Sequence, residues 1–389
     1  MNNFYPLAST TWDSSEITAI NNVISSGNYS MGKYVKLFEE KFSKVFGSKY
    51  SIMVNSGSSA NLLAIASLFY RKINALKRDD EVIVPAVSWS TTYSPLQQYG
   101  LRLKFVDIDL ETLNYDLTSL KSAVTNKTKL IVVVNLLGNP NDFKAIKEII
   151  GDKLIDIVED NCESMGAEYE SKKTGTIGTI GTFSSFFSHH ISTMEGGIIC
   201  TDDRELYDIM LSLRAHGWTR NLDDDNSICN KTQDNFTESF RFILPGYNLR
   251  PLEFSGAIGL EQIKKLPEFV KQRKKNHEVF KKLFDNDDRF ILQKEIGSSS
   301  WFGFSLILSD NLTKRSDVFK ILEKNNIDYR PIVSGNFCKS ESLKYYNYEI
   351  HGKVKNAEYL DHNGFFVGNH HYDLTDQIEY LHKILNNLK

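Results

Sequence analysis

The chain opens its first two thirds with short, nearly unbroken apolar runs separated by stretches whose apolar positions recur at helical spacing. Residues 80–85, 101–107, 129–135 and 154–160 are rich in Val and Ile and are bounded by polar residues. Runs of that kind predict strands covered on both faces. Residues 61–71, 117–124 and 142–150 carry the helical pattern. Strands alternating with helices predict a doubly wound α/β unit with a mostly parallel sheet, whose ligands bind at the carboxyl ends of the strands. After about residue 252 the pattern changes. Residues 259–282 predict a long charged helix with Leu260, Ile263, Leu266, Phe269 and Val270 on its apolar face, and Pro267 inside it predicts a kink or a split. Residues 301–308, 318–325 and 329–333 read as strand, helix, strand. The expected organisation is a large domain over 1–259, with the segment 1–30 packing against it, and a smaller α/β domain over 260–389. The polar stretch 221–237, which contains Asp223, Asp224 and Asp225, predicts a mobile loop.

Composition narrows the class. A formal net charge of −3 over 389 residues argues against general binding to nucleic acid or to an anionic membrane. No basic segment leads into an apolar run at the start, so no signal peptide is expected. The apolar runs fall well short of the about 20 residues a membrane helix needs. Cys162, Cys200, Cys229 and Cys338 lack the spacing of a zinc site, a redox pair or an iron–sulfur cluster, and read as reduced thiols of a cytoplasmic protein without a bound metal.

Four places carry chemistry. Ser56-Gly57-Ser58-Ser59 precedes an apolar helix; small residues at a helix N-terminus suit an anion, and equally a plain serine cap. Asp160 closes a strand, where it suits a partner for a pyridine nitrogen or a cap on the following turn. Trp89 follows another strand end and suits either stacking on a flat ring or packing in a core. His189 and His190 stand before Glu195-Gly196-Gly197, and an unperturbed imidazole titrates where a general base must. Taken in order, these suggest a pyridoxal-phosphate site. A lysine to hold that cofactor is missing: none occurs between Lys173 and Lys231.

With these residues the chain resembles the sugar aminotransferases of pyridoxal phosphate (PLP) fold type I, the DegT/StrS-like enzymes, over essentially its whole length. Ser56-Gly57-Ser58, Trp89, Asp160-Asn161-Cys162-Glu163, Ser184, Glu195-Gly196-Gly197, Arg214-Ala215-His216-Gly217 and Gly246-Tyr247-Asn248-Leu249-Arg250-Pro251 carry the likeness. The resemblance implies an aspartate-aminotransferase-like fold. It implies that Gly57, Ser58 and Ser184 hold the cofactor phosphate, Trp89 stacks on the ring, Asp160 meets the ring nitrogen and Glu163 lies near the ring hydroxyl. It implies further that Asn248 reaches the phosphate of a neighbouring subunit, so that the active unit is a homodimer with shared sites. His216, Arg250 and Arg330 are further candidates for substrate contacts or for support behind them, and His190 is structural.

His189 stands where the family carries its cofactor-binding lysine, and the stretch 188–195 is similar to a lysine-less branch that acts on GDP-sugars. That branch implies PLP and its amine form, PMP, held non-covalently, with His189 as acid and base. It implies L-glutamate as amine donor and removal of the C3 hydroxyl of a GDP-linked 4-keto-6-deoxymannose, with 2-oxoglutarate and ammonia released, on the route to the O-antigen dideoxysugar colitose. A second histidine branch feeds electrons through an iron–sulfur cluster, for which the cysteines here are unsuited. Two alternatives stay open: an ordinary nucleotide-sugar aminotransferase with a lysine recruited from elsewhere, and an inactive relative that serves as a binding protein.

Overall fold

A computed structural model describes residues 4–309 and 314–386. Its strands in chain order are β1 (Tyr50–Val54), β2 (Glu81–Pro85), β3 (Arg102–Val106), β4 (Thr128–Val134), β5 (Asp156–Asp160), the short pair β6 (Glu168–Tyr169) and β7 (Lys172–Lys173), β8 (Ile180–Ser184), β9 (Gly197–Thr201), β10 (Phe290–Leu292), β11 (Gly303–Leu308), β12 (Tyr348–Ile350) and β13 (Gly364–Gly368). Eight of them form one sheet in the order β1-β9-β8-β5-β4-β2-β3-β12. Only β9 runs against the others.

The apolar runs give this sheet two buried faces. Side chains alternate across a strand, so Val82, Val84, Leu130 and Val132 enter the core on one side, while Ile83, Ile131 and Val133 enter the core on the other. The helix Gly57–Tyr70 is apolar on nearly every side and is buried accordingly. A second, antiparallel sheet, β10-β11-β13, builds a separate core with Phe280, Phe284, Phe304, Phe365 and Leu381.

Several places differ from the sequence pattern. The helix Glu253–Phe284 passes through Pro267 as one element and crosses residue 259, so its two ends serve different cores. Segment 329–333 forms no strand; a single bridge joins Arg330 to Phe366, because Pro331 offers no N–H to a ladder. Strand β12 leaves the C-terminal part of the chain and extends the large sheet beside β3. Residues 1–30 divide: the Ser14–Ser26 helix packs on the Glu253–Phe284 helix, while buried Tyr5 joins the smaller core and donates its hydroxyl to the Gly368 carbonyl. The short run Phe4-Tyr5-Pro6-Leu7 carries no periodicity to show which core receives it. In the stretch 221–237, a short helix, Asn235–Ser239, begins at Asn235, and the Asp208 and Glu238 carboxylates accept from the Ser227 and Thr232 amides. Among the described residues, no helix is long and apolar enough to cross a membrane.

Candidate active site

The carboxyl ends of β2, β4, β5 and β8 and the start of the Gly57–Tyr70 helix surround one cavity of about 330 Å³. The Ser56 hydroxyl caps that helix by accepting the Ser59 amide at 3.1 Å. The first-turn amides of Gly57 and Ser58 have no acceptor inside the helix, and both residues line the cavity. A Cβ at Gly57 would lie 2.7 Å from Cβ of Ser184 and 3.2 Å from Sγ of Cys162. Glycine therefore lets the helix start approach the end of β8.

Asp160 ends β5 and is buried. Its Oδ2 accepts from Nδ2 of Asn61 at 2.9 Å and from the Thr92 hydroxyl at 2.7 Å, and its Oδ1 accepts the Cys162 amide at 3.2 Å. The Thr182 hydroxyl donates to Oδ1 of Asn61 at 2.6 Å, which turns the amide's NH₂ toward Asp160. The carboxylate is thus held from three sides. Trp89 stands just before the helix Ser90–Gln98, makes no side-chain cap to it and is 58% exposed, on the cavity rim and outside any core.

The loop between β8 and β9 carries His189, half-buried, with Nδ1 3.1 Å from the Ser184 hydroxyl and its ring 5.4 Å from that of Phe302. Desolvation pushes its pKa down to about 4; the Asp160 charge opposes this and the Arg273 charge reinforces it. Its neighbour His190 is fully buried behind the cavity, with Nε2 3.1 Å from the Ser300 carbonyl. Glu163 also lines the cavity and accepts the Leu137 amide at 3.1 Å. Burial raises its pKa to about 7, with the Asp160 charge adding and the Leu137 hydrogen bond opposing. From the chain beyond β10 come Phe302, Arg330, Pro331, Val333 and Phe366. None of the residues lining the cavity is lysine.

Gly57, Ser58, Trp89, Asp160, Glu163, Ser184, His189 and Arg330 therefore meet in one place. Asn248, His216 and Arg250 do not. They form a patch around Trp218, where Nε of Arg250 donates to Oδ1 of Asn248 at 2.9 Å and its guanidinium lies 5.6 Å from the indole. The His216 ring meets the same indole edge-on at 5.1 Å. Asn61, Thr92 and Phe302 were missed from sequence. Asn61 had a faint signal, as a polar residue inside an apolar helix one turn past Gly57. Thr92 had one as well, three residues beyond Trp89 on the same helix. Phe302 had none.

The chain is similar over nearly its whole length to proteins of known activity and structure. The chain is 58% identical, over 98% of its length and 99% of the relative's, to the GDP-4-keto-6-deoxy-D-mannose 3-dehydratase of Escherichia coli O55:H7. A crystal structure of GDP-4-keto-6-deoxymannose-3-dehydratase with a trapped PLP–glutamate geminal diamine superposes with a TM-score of 0.97 at 58% identity, over 98% of this chain and all of that one. A histidine-to-asparagine mutant of the same enzyme, with bound GDP-perosamine, matches with the same TM-score, identity and coverage. The pattern of the DegT/DnrJ/EryC1/StrS aminotransferases matches residues 10–385. From the β-sheet order to the cavity at the strand ends, this chain belongs to the DegT/DnrJ/EryC1/StrS aminotransferase family.

Proposed function

We propose that this protein removes the C3 hydroxyl of GDP-4-keto-6-deoxy-D-mannose, with L-glutamate as amine donor, and yields GDP-4-keto-3,6-dideoxy-D-mannose, 2-oxoglutarate and ammonia. The observation that carries this reading is a cavity that places His189 beside Asp160, Glu163 and Trp89 and is lined by no lysine. The 58% identity to an enzyme of that name supports the sugar and the nucleotide.

The residues fit pyridoxal 5′-phosphate and its amine form. The Gly57 and Ser58 amides and the Ser184 hydroxyl suit the phosphate, in a cradle that a methyl at Gly57 would fill. Asp160 suits a protonated ring nitrogen, the exposed Trp89 suits a ring face, and Glu163 suits the ring hydroxyl side. When bound, the amine form supplies an amine for the C4 ketone of the sugar and a ring that takes up the electrons which expel the C3 hydroxyl. His189 moves protons. Held neutral by desolvation, it takes a proton from the cofactor's C4′ position and, once charged, returns one to the departing hydroxyl. The imidazole cannot capture the cofactor as a lysine does, so elimination meets less competition from amino transfer. Asp160, fixed by Asn61 and Thr92, stays an acceptor toward the ring throughout.

A homodimer completes the site in this reading. The patch of Asn248, His216 and Arg250 lies away from its own cavity and is offered to that of a second copy. Exposed Phe186, Phe187 and Met194 on the His189 loop support contact with such a copy.

Supplying GDP-4-keto-6-deoxymannose, L-glutamate and PLP tests the reading. Ammonia, 2-oxoglutarate and a sugar lighter by one oxygen are expected in equal amounts. An aminated sugar without free ammonia marks an aminotransferase instead, and borohydride trapping would then find a cofactor–lysine adduct. A protein that takes up no cofactor marks a binding protein.

A further inference from the structure

Three residues beyond His189, the backbone of Ser192 is gripped on both sides. Its N–H donates to Oε1 of Gln262 at 2.9 Å, and its carbonyl accepts the indole N–H of Trp12 at 3.0 Å. Gln262 lies in the helix Glu253–Phe284 and is fully buried. All of its hydrogen-bonding capacity is in use: Oε1 also accepts the Thr11 hydroxyl at 2.6 Å, while Nε2 donates to the Thr11 carbonyl at 3.1 Å and to Glu16 Oε1 at 2.7 Å. Glu16, also fully buried, pairs with Lys265 at 2.7 Å, and Lys265 reaches Asp13 at 2.9 Å. One amide therefore ties residues 11–16, the long helix and the His189 loop into a single network. At the base of the loop, the Thr193 amide donates to the Ser185 carbonyl at 2.9 Å and the two hydroxyls meet at 2.6 Å.

A lysine bonded to the cofactor would anchor such a loop through that bond. His189 has no covalent link of this kind, so its distance to the atom it deprotonates is set by the loop together with its contacts to Ser184 and Phe302, and proton transfer tolerates little slack. We infer that Trp12 and Gln262 are positioning residues that hold His189 at its working distance through Ser192. This rests on the reading of His189 as the proton carrier.

The test compares Trp12→Phe, Gln262→Met and His189→Asn in the full-length enzyme loaded with cofactor. Trp12→Phe keeps an aromatic ring at a partly buried position while removing the indole N–H together with the five-membered ring, and thermal unfolding checks that the fold is retained. The expected result is a fall in kcat of about 10- to 100-fold, the scale on which misplacement of a catalytic group is felt. KM for the GDP-sugar and cofactor uptake should stay within about twofold. The solvent deuterium isotope effect on kcat should rise as proton transfer becomes limiting. Unchanged kcat, or kcat and KM moving together with no change in the isotope effect, overturns the inference. Gln262→Met should reproduce the pattern; if that variant does not fold, Trp12→Phe decides alone. Dehydration that persists in His189→Asn sinks the underlying reading, whereas dehydration lost there but intact in Trp12→Phe sinks only the clamp.

Discussion

Nδ1 of His189 stands 3.1 Å from the hydroxyl of Ser184, the last residue of β8. The same hydroxyl accepts the Phe186 amide at 3.3 Å, which closes the turn that leads to the histidine. When Nδ1 carries the proton and donates it to the Ser184 hydroxyl, Nε2 is left with the free lone pair a base needs, and the hydroxyl keeps its own proton to donate elsewhere. The group proposed to move protons and the group proposed to hold the phosphate are thus one contact apart, and a change at either is felt at the other.

The first prediction concerns His189 itself. His189→Asn keeps a polar side chain in the loop and removes the titrating nitrogen. Dehydration should fall by about 10²- to 10⁴-fold, the usual worth of a general acid–base group. The absorption of bound PMP should persist, because the variant leaves Gly57, Asp160 and Trp89 untouched. Product formation by mass, measured beside that spectrum, checks it.

A second follows from pH. A base must be neutral to accept a proton, and His189 is neutral above a pKa of about 4. The acid limb of kcat/KM should therefore fall near pH 4, well below that of an ordinary histidine. Arg273 is buried, donates to the Phe302 and Asn369 carbonyls and forms no salt bridge among the described residues. Its charge disfavours protonation of His189. Arg273→Met should move the acid limb to higher pH. A limb that stays in place would show that the cation does not act on the imidazole.

Glu163 supplies another pH signature. Its pKa of about 7 leaves it largely protonated below neutrality and ionised above. Any change in cofactor absorption near pH 7 should vanish in Glu163→Gln, which mimics the protonated form. A spectral pH titration of the two proteins checks this.

The grip on Asp160 predicts a cost for removing its donors. Thr92→Val leaves a buried carboxylate oxygen and the Ser88 hydroxyl each short of a partner, since Ser88 and Thr92 meet at 2.8 Å. Stability should drop by about 1–3 kcal/mol, the price of a buried polar group left unmet. Cofactor affinity should weaken as well. Denaturant unfolding with and without PMP measures both.

Gly57→Ala tests the cradle. The added methyl would sit 2.7 Å from Cβ of Ser184, so Ser184 or the helix start must move. Overpacking of this kind costs about 1–3 kcal/mol. Phosphate-dependent uptake of PLP should weaken, and kcat should fall with it because Ser184 leads to His189. An isothermal titration of PLP, set beside one of pyridoxal without phosphate, separates the two effects.

How much of this could be read from the chain depends on distance along it. The runs that became β2 to β5 were legible because a strand covered on both faces carries apolar residues at successive positions, as at Val82, Ile83 and Val84 or from Leu130 through Val134. Asp160 and Trp89 were legible as residues at strand ends, which is a local fact, and His189 through the resemblance to a family that carries a lysine at its position. The tertiary structure alone decided that Asn61 and Thr92 share the Asp160 carboxylate, that Phe302 and Arg330 reach the cavity from the chain beyond β10, and that Trp12 reaches Ser192 across 180 residues. A hydrogen bond depends on where two groups lie in space, and packing brings together segments whose separation in the chain says nothing of their partners. Tyr5 shows the same limit: its burial in the smaller core was settled by a carbonyl at Gly368 that no pattern near residue 5 announces.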